Sequence, residues 1–305
     1  MKKRSWLVVS LFLTFVASCK VTNEVVTADK SKEQVVKPAE ESLATLLTKK
    51  TNLINKVVFY NETKLAKGVN EYYLEYTSNK NLPMTLFLFR VDLKEKNIAI
   101  KPLTPNGKLT FDMQTIPDML TTNAFEGYKA IAAVNSDFFN MSTGEPRGIT
   151  VIDGMAVKSV TAATRAYFGI TKTGNPIIGN MKVFPDQKNM ILHSLGGFHR
   201  LIDGGKPVNQ TDLSIHPRTA VGYTENKEVY FLVVDGRNPE YSNGLMLSEL
   251  AEIFYALGIK EAVNLDGGGS TTFVTSNGAS MMVKNKPSDG KPRKVANGWA
   301  ICVKN

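Results

Sequence analysis

Cysteine is scarce in this sequence. Its 305 residues include two cysteines, Cys19 and Cys302, so a network of disulfides cannot hold the fold together. Cys19 belongs to a processing signal described below, which leaves Cys302 without a partner. The fold must therefore be held by burial of apolar side chains, and the roughly 255 residues from position 51 onward are enough for one large domain.

Concentrated charge and metal-binding motifs are also missing. The net charge is +9, and the basic residues are spread along the chain rather than grouped in a block. Dispersed lysine is typical of a solvated surface, so we predict no nucleic-acid partner, although a basic balance suits phosphate-bearing polymers and anionic headgroups. Several aspartates could bind a divalent cation, but no calcium-loop spacing is present, and we predict no metal and no other cofactor.

The first residues have the pattern of an export signal. Basic residues at positions 2–4 precede an apolar run at 6–16 that is too short for a permanent transmembrane helix, and small residues lead to Cys19. The pattern resembles a bacterial lipobox, which implies removal of a signal peptide at residues 1–18, lipidation of Cys19 and anchoring in the cell envelope. Lys20 favours the outer membrane. The alternative is an ordinary secretory signal with a chance cysteine.

The rest of the chain divides into a tether and one domain. Residues 19–50 are rich in charge and poor in aromatics, which predicts a flexible lipidated tether. In residues 51–305, short apolar runs alternate with Asp-Gly and similar turn signals. We predict an α+β fold, a single sheet-rich domain with a mixed or antiparallel β-sheet and a few packed helices. The runs typical of strands or hairpins lie at 84–93, 128–135, 147–157, 165–179 and 219–236.

One segment has a clear helical period. From Leu247 to Leu257 apolar residues recur at intervals of 3, 4 and 3, which indicates a helix with one buried face. Ser248 is a candidate cap and Gly258 a stop signal. A weaker helical pattern covers residues 113–126.

A carboxylate and a run of glycines stand between two runs that are typical of strands. Asp266 is followed by Gly267, Gly268, Gly269 and Ser270. Glycines can turn successive amide N–H groups toward one point and so form a nest for anionic oxygens. No Gly-Lys-Ser/Thr follows, so the stretch is not a nucleotide-binding loop. For the glycines taken alone, a tight turn with a β-bulge is the more common explanation.

Other unusual segments accompany this one in a set order. They are AVNSDFFN (133–140), GEPRGITVIDG (144–154), FHRLIDGG (198–205), HPRTAVGYT (216–224), VVDGRNPEYSNGLMLSELA (233–251), AVNLDGGGSTTFV (262–274) and NKPSDGKPRKVANGWAI (285–301). This set resembles the phosphodiester glycosidase family over about residues 130–305, whereas residues 51–129 match far less specifically. Two departures are visible. Ser136-Asp137 stands where many members have Gly-Gly or Gly-Asp, and Lys286 stands where an arginine is usual, which loses a bidentate fork.

The resemblance implies cleavage of a sugar-1-phosphodiester, for example of N-acetylglucosamine. Reaction at the anomeric carbon needs a carboxylate as nucleophile or as base for water. Asp266 is the first candidate, followed by Asp137, Asp235 and Glu249, each of which lies in a matched motif at a strand end or a helix start. Asp235 also suits an ordinary turn, and Glu249 also suits a helix N-terminus. Because phosphate is a good leaving group, a strong general acid is less necessary.

The anionic oxygens of such a substrate need donors. Arg218, Arg237 and the glycine amides are the main candidates, with Arg165 and Arg293 as further ones. Each arginine taken singly is more often a surface or structural ion pair. Candidates for contact with the rest of the substrate are Asn135, Asn264 and Ser270 for sugar hydroxyls or an acetamido group, Phe138 and Phe139 for an apolar wall, and His216 for phosphate binding or proton transfer.

Some candidates have plain structural alternatives. A Phe pair is more often core than a sugar wall, and His193 and His199 are predicted to be scaffold. Two other functions also stay open at this point. One is a module that binds phosphodiester-linked surface glycans without cutting them, and the other is a phosphodiesterase that breaks the P–O bond. The identity of the sugar and the oligomeric state depend on pocket shape and surfaces that sequence does not determine.

Overall fold

Two antiparallel β-sheets packed face to face form the body of the protein. This computed structural model describes residues 41–276 and 280–305. Within those ranges every strand pairing is antiparallel. The predicted α+β, sheet-rich class is confirmed, and of the two predicted kinds of sheet the antiparallel one is present.

Most of the described chain is in strands. Numbered along the chain, they are β1 (Ile54–Ala66), β2 (Val69–Ser78), β3 (Pro83–Asp92), β4 (Ile98–Leu103), β5 (Tyr128–Asn135), β6 (Thr150–Ile152), β7 (Met155–Lys158), β8 (Ala166–Thr171), β9 (Pro176–Asn180), β10 (Ile191–Asp203), β11 (Lys206–Pro207), β12 (Arg218–Tyr223), β13 (Glu228–Val234), β14 (Glu261–Asn264), β15 (Phe273–Ser276), β16 (Met281–Val283) and β17 (Gly298–Lys304).

The strands divide unequally between the sheets. In the described ranges the larger sheet has 12 strands, with a main path β1-β2-β3-β13-β12-β14-β10-β6-β7; β8 and β11 pair with β10, and β9 pairs with β8. The smaller sheet has 5 strands in the order β16-β15-β5-β17-β4. The predicted strands at 84–93 and 128–135 are β3 and β5. The predicted hairpins at 147–157, 165–179 and 219–236 are the pairs β6-β7, β8-β9 and β12-β13.

Aromatic side chains fill the space between the two sheets. Phe89 of the larger sheet stacks on Phe273 of the smaller one, with ring centroids 3.8 Å apart. Phe168 packs edge-on against Trp299 at 5.3 Å, and all four rings are fully buried. Large aromatic rings contribute much of the buried apolar area in a core. Burial therefore holds the sheets together, and Cys302 is free and buried.

Four α-helices cover the outer faces within the described residues. They are α1 (Leu43–Lys50), α2 (Ile116–Thr122), α3 (Phe184–Gln187) and α4 (Leu247–Ala256). The predicted helix at 247–257 is confirmed by α4, which ends before Gly258 in a left-handed conformation with φ 71°. The predicted cap is wrong, since Met246 rather than Ser248 is the N-cap. The weaker pattern at 113–126 contains the shorter α2.

The folded domain starts earlier than predicted. The structure differs from the predicted tether at residues 19–50, because α1 occupies its last eight positions. Leu43, Ala44 and Leu47 are buried in the same apolar cluster as the inner face of α4, and the compact unit begins at Glu41. Leu43 and Leu47 are four residues apart and share a helix face, so this short segment can dock against the domain.

The predicted export signal and its cysteine precede the residues that the structure describes. The predicted signal peptide at 1–18 and the predicted lipidation site Cys19 lie outside the described residues. Among the residues described, no helix is long and apolar enough to cross a membrane.

Candidate active site

The segment 265–272 leaves the larger sheet after β14, enters the smaller sheet at β15, and carries Asp266 between them. The N–H of Leu265 donates to the carbonyl of Thr219 at 2.8 Å, and the N–H of Asp266 donates to the carbonyl of Ser136 at 2.7 Å. Thr219 belongs to the larger sheet, and Ser136 directly follows β5 of the smaller one. Asp266 therefore lies where strands of both sheets meet at one edge of the sandwich.

Asn135, the last residue of β5, holds this segment in place. Its Nδ2 donates to the carbonyl of Asp266 at 2.6 Å, and its Oδ1 accepts from Thr219 Oγ1 at 2.8 Å and from the N–H of Thr272 at 3.0 Å. The side chain is 1% exposed. The sequence-based assignment of Asn135 to sugar recognition is therefore corrected, because the protein itself uses its polar atoms to position Asp266.

Replacing Asn135 by alanine is expected to lower the free energy of unfolding by about 3 kcal/mol or more. Three buried groups would lose their partner, and each unsatisfied buried group costs about 1–3 kcal/mol. Urea denaturation of the full chain measures the change. Thr219→Val is the matched control, since it removes one of the three bonds and is expected to lose about 1 kcal/mol. Equal losses in both variants would contradict the clamp.

The three glycines line the cleft, and of the three amides predicted to form a nest that of Gly268 is used within the protein. The N–H groups of Gly268 and Ser270 donate to the carbonyls of Pro217 and Gly267, at 2.9 and 3.2 Å. These amides are therefore not available to a ligand. Gly267 also approaches the neighbouring chain closely, since a Cβ there would lie 2.5 Å from the carbonyl oxygen of Pro217.

The glycines also make room for two guanidinium groups. A Cβ on Gly268 would lie 3.1 Å from Nη2 of Arg237, and a Cβ on Gly269 would lie 2.1 Å from Nη2 of Arg293. Gly268 also has a φ of 60°, which side chains other than glycine rarely adopt. The absence of side chains thus lets two cations lie directly against the segment that carries Asp266.

These groups enclose an open cleft of about 270 Å³. Its lining comes from separate parts of the chain, and all of it consists of residues that the sequence had singled out. The lining residues are Phe138, His216, Arg218, Arg237, Asp266, Gly267, Gly268, Gly269 and Arg293. A carboxylate surrounded by three arginines suits a ligand with an anionic group next to an electron-poor carbon.

The carboxyl group of Asp266 is partly protonated near neutrality. Burial raises its pKa to about 6, while the Ser270 hydroxyl and the cations of Arg293 and Arg165 act in the opposite direction. A carboxylate whose charge is poorly solvated is a better base and nucleophile than an exposed one. Asp266 is therefore the group in the cleft best placed for chemistry.

Asp137 is a second, deeper carboxyl group. It is 1% exposed, its Oδ2 accepts from the N–H of Gly148 at 2.7 Å, and its Oδ1 has no partner among the described residues. The pKa of Asp137 is raised to about 7, mainly by burial and in part by the charge of Asp266, while the N–H of Gly148 and the cation of Arg165 act in the opposite direction. A Cβ on Gly196 would lie 2.3 Å from its Oδ2, so glycines enclose this carboxyl group beside Asp266 rather than in the cleft wall.

Arg165 lies against an aromatic pair and interacts electrostatically with both carboxyl groups. Its guanidinium lies 5.0 Å from the ring centre of Phe138 and 4.3 Å from that of Phe198. Its charge attracts both Asp137 and Asp266, and Nη1 is buried without a partner among the described residues. Cation–π contacts of this kind hold a guanidinium in a fixed plane. Phe138 therefore supplies a cleft wall and also positions Arg165.

The three arginines of the cleft are held in different ways. Arg218 is 6% exposed and donates from Nε to the carbonyl of Leu245 at 2.9 Å and from Nη2 to that of Ser214 at 2.6 Å. Arg293 pairs with Asp289 at 2.7 Å. Within the described ranges neither Arg218 nor Arg237 forms an ion pair with a carboxylate, so their charges are available to an anion.

His216 lies on the cleft wall. Burial lowers its pKa, and the charges of Arg218 and Arg237 lower it further. Its Nδ1 is buried without a partner among the residues described. His193 is scaffold as predicted, since it is 3% exposed and accepts from the N–H of Asp153 at 3.2 Å. In the described part of the chain no group of three or more potential ligand side chains could hold a metal ion.

Asp235 does not reach the cleft. Its Oδ1 accepts from Nδ2 of Asn285 at 2.9 Å, and its Oδ2 accepts from the N–H of Lys286 at 2.7 Å and from the hydroxyl of Tyr241 at 3.3 Å. Burial raises its pKa, and these donors act against the shift. Both oxygens are used by the protein, so its assignment to catalysis is corrected to a structural role.

Glu249 is also removed from the catalytic candidates. Its Oε2 accepts from the N–H of Met246 at 2.9 Å and its Oε1 pairs with Lys80 at 2.7 Å. It caps α4 and is not among the residues that line the cleft. Glu249 therefore fits the alternative interpretation, in which it lies at the start of a helix, because the first turn of a helix favours an acidic residue.

Three further candidates are buried rather than exposed in the cleft. Asn264 is 1% exposed and Ser270 is 0% exposed, so neither presents its side chain openly to a sugar. Phe139 is 8% exposed and packs in the apolar cluster outside the smaller sheet, as the core alternative predicted. Of Phe138 and Phe139, only Phe138 lines the cleft.

The sequence-based prediction missed Phe198 and Asp289. Phe198 completes the aromatic pair around Arg165, and Asp289 orients Arg293. Both lie inside segments that were singled out. Asp289 and Arg293 are four residues apart, a spacing that can indicate an ion pair. No local pattern in the sequence connects Phe198 with Arg165, which directly precedes β8.

Comparisons with known proteins converge on one family. A family model described as phosphodiester glycosidase matches residues 128–302. The chain is 30% identical over 194 residues to the N-acetylglucosamine-1-phosphodiester alpha-N-acetylglucosaminidase of Bos taurus, a match that covers 56% of this chain and 36% of that protein. The human protein of the same name is 28% identical over 194 residues, with 37% of its length covered. The chain thus spans a little over a third of the length of these relatives.

A solved structure has a similar fold. The catalytic domain of the zebrafish N-acetylglucosamine-1-phosphodiester alpha-N-acetylglucosaminidase, auto-inhibited by its pro-peptide, superimposes with a TM-score of 0.60 at 21% identity. The match covers 81% of this chain and 88% of that one. At this identity the likeness is one of fold.

Proposed function

Because this chain belongs to the phosphodiester glycosidase family, we propose that its cleft hydrolyses sugar-1-phosphodiesters between the anomeric carbon and the phosphate oxygen. N-acetylglucosamine-1-phosphodiesters, which appear in the names of its mammalian relatives, are the first substrates to test. The observation that carries the proposal is the carboxyl group of Asp266 in a cleft lined by Arg218, Arg237 and Arg293.

The proposed reaction needs one carboxylate and one water molecule. The bond from the anomeric carbon to the phosphate oxygen breaks, and its electron pair leaves on the phosphate. Asp266 either removes a proton from the attacking water or adds to the carbon first and is then displaced by water. In both routes the water oxygen becomes the anomeric hydroxyl. The first route inverts the configuration at that carbon and the second retains it, so NMR of the initial product distinguishes them.

The arginines act on the leaving group. A diester with one negative charge becomes a monoester that gains a second charge as the bond breaks, and fixed cations stabilise that change more than they stabilise the substrate. Arg237 and Arg293 lie against Gly268 and Gly269, directly beside Asp266. Arg165, which attracts both carboxyl groups, keeps Asp266 ionised at a lower pH than burial alone would allow.

Hydrolysis in heavy-oxygen water tests the proposal directly. The purified full chain is incubated with N-acetylglucosamine-α-1-phosphodiesters, and the masses of both products are measured by mass spectrometry. We expect the heavy oxygen in the sugar. Heavy oxygen in the phosphate would show cleavage of the P–O bond, and the protein would then be a phosphodiesterase. Ligand binding without any product would make the cleft a recognition site instead.

The activity is expected to fall in acid with an apparent pKa of about 6. Asp266 works in its ionised form, and its pKa is raised to about 6, so kcat/KM should drop about tenfold for each pH unit below that value. Initial rates between pH 5 and 8 measure the profile, with intrinsic fluorescence as the check that the chain stays folded. A flat profile over this range would exclude Asp266 as the titrating group.

We also propose that the protein is anchored in the bacterial envelope through a lipid on Cys19. The support is the lipobox-like sequence that ends at this cysteine. After growth with an alkyne fatty acid, the full chain should carry the label in the membrane fraction, and Cys19→Ser should lose both the label and the membrane association. Equal labelling of the two chains would refute the anchor.

A further inference from the structure

A second cleft of about 340 Å³ opens beside the one that holds Asp266. Arg237 lines both clefts, and the wall of the second comes from the turn after β13 and from the segment that follows β16. Its volume is at the lower end of the range for small-molecule sites, about 300–1,000 Å³. A ligand that touches Arg237 can therefore extend into either cleft.

A buried carboxylate holds the wall of this second cleft. Asp235 accepts from the N–H of Lys286 and from the hydroxyl of Tyr241, and these two residues belong to the two segments that face each other across the cleft. Because Asp235 is 1% exposed and fully bonded, it fixes both segments without offering a negative charge to a ligand. The wall is thus pre-organised.

The charge that faces the second cleft is positive. The ammonium of Lys286 lies 3.8 Å from the ring centre of Tyr241, and within the described residues it forms no ion pair with a carboxylate. Arg237 has no carboxylate partner there either. The hydroxyl of Ser288, which also lines the cleft, is buried without a partner in the same ranges. Two cations without carboxylate partners among the described residues form a site for anionic oxygens.

We propose that the second cleft binds the aglycone and selects aglycones that carry a further phosphate. The inference rests on the proposed function: the sugar lies at Asp266, the phosphate that is released lies at Arg237 between the clefts, and the next phosphate lies at Lys286. The substrate class is then a polymer or conjugate with repeated phosphate groups, rather than a diester of a simple alcohol.

The test compares two substrates that differ in the aglycone. One is the methyl diester of N-acetylglucosamine-α-1-phosphate, and the other carries glycerol phosphate in place of methyl. The wild-type chain should prefer the second, and Lys286→Gln should reduce the ratio of the two kcat/KM values about tenfold, as expected for loss of one charge-assisted hydrogen bond. Lys286→Arg should restore the preference.

Lys291→Gln is the matched control. Lys291 is an exposed lysine in the same segment that does not line the cleft, so this variant should keep the wild-type ratio. An unchanged ratio in Lys286→Gln, or the same fall in both variants, would overturn the proposal while leaving the hydrolase assignment in place.

Binding of free glycerol phosphate, measured by calorimetry, separates the two proposals. If the wild-type chain cleaves neither substrate, the proposed function fails. Glycerol phosphate that still binds wild type about tenfold more tightly than Lys286→Gln would then support an anion site in the second cleft. Absence of Lys286-dependent binding would exclude that site.

Discussion

Asp266→Asn is expected to lower kcat by at least about 10³-fold while the substrate still binds. The amide has the shape of the carboxylate but can neither accept a proton from water nor attack the anomeric carbon. The clamp of Asn135 is made to the backbone carbonyl of Asp266, so the segment should keep its position. Single-turnover kinetics and calorimetric titration of the same variant measure the two quantities separately.

The same substitution is expected to stabilise the fold near neutral pH. Burial raises the pKa of Asp266 from its usual value of 3.8 to about 6, so the unfolded chain ionises first as the pH rises. The resulting loss of stability develops between about pH 4 and 6 and then stays constant, at up to about 3 kcal/mol. Asp266→Asn should therefore raise the melting temperature at pH 7 and leave it unchanged near pH 4.

Asp203→Asn is the control for a change of charge alone. Asp203 lies at the turn between β10 and β11, where its side chain is 65% exposed, so this variant should keep both kcat and the melting temperature. Wild-type turnover in Asp266→Asn would remove the residue from the mechanism. A variant that neither turns over nor binds would indicate that Asp266 holds the cleft together instead.

Arg237→Met is expected to reduce kcat/KM by about 10²–10³-fold with little effect on stability. The guanidinium is exposed, lies against Gly268, and forms no ion pair with a carboxylate among the described residues. Its loss removes a charge that stabilises the departing phosphate but leaves no buried group unsatisfied. Steady-state kinetics and urea denaturation, run on the same preparation, measure both effects.

Two further variants sharpen this prediction. Arg237→Lys keeps the charge and loses the planar fork, so its kcat/KM should lie between wild type and Arg237→Met. Arg200→Met removes an arginine that pairs with Glu261 and Asp203 on the sheet, and it should alter stability more than activity. Equal kcat/KM in Arg237→Met and wild type would show that the phosphate is held elsewhere.

Much of the secondary structure was predictable because it depends on neighbours in the sequence. The helix period of α4, the apolar run of β5 and the turn residues of the hairpins are all local signals. The start of the domain was not predictable in this way. Helix α1 has only eight residues, too few for a stable isolated helix, and Leu43 and Leu47 are buried in the same apolar cluster as α4, which is far away along the chain.

The residues of the candidate site were likewise only partly predictable from the sequence. Asp266, His216, Arg218, Arg237 and Arg293 were proposed from their motifs, and the structure brings them to one cleft. Asp235 and Asn135 lie in motifs of the same kind, but their oxygens are used by Lys286 and Thr272. Whether a polar side chain serves a ligand or the protein depends on partners that are distant in sequence.

The glycines after Asp266 show which features depend on local sequence and which depend on tertiary packing. The sequence by itself determined that a carboxylate would stand at a strand end beside a flexible backbone without side chains. Only the tertiary structure decided what the empty space is for, since Arg237 and Arg293 come from other loops to occupy it. Backbone preference is a local property, whereas the filling of space is decided by every segment that packs there.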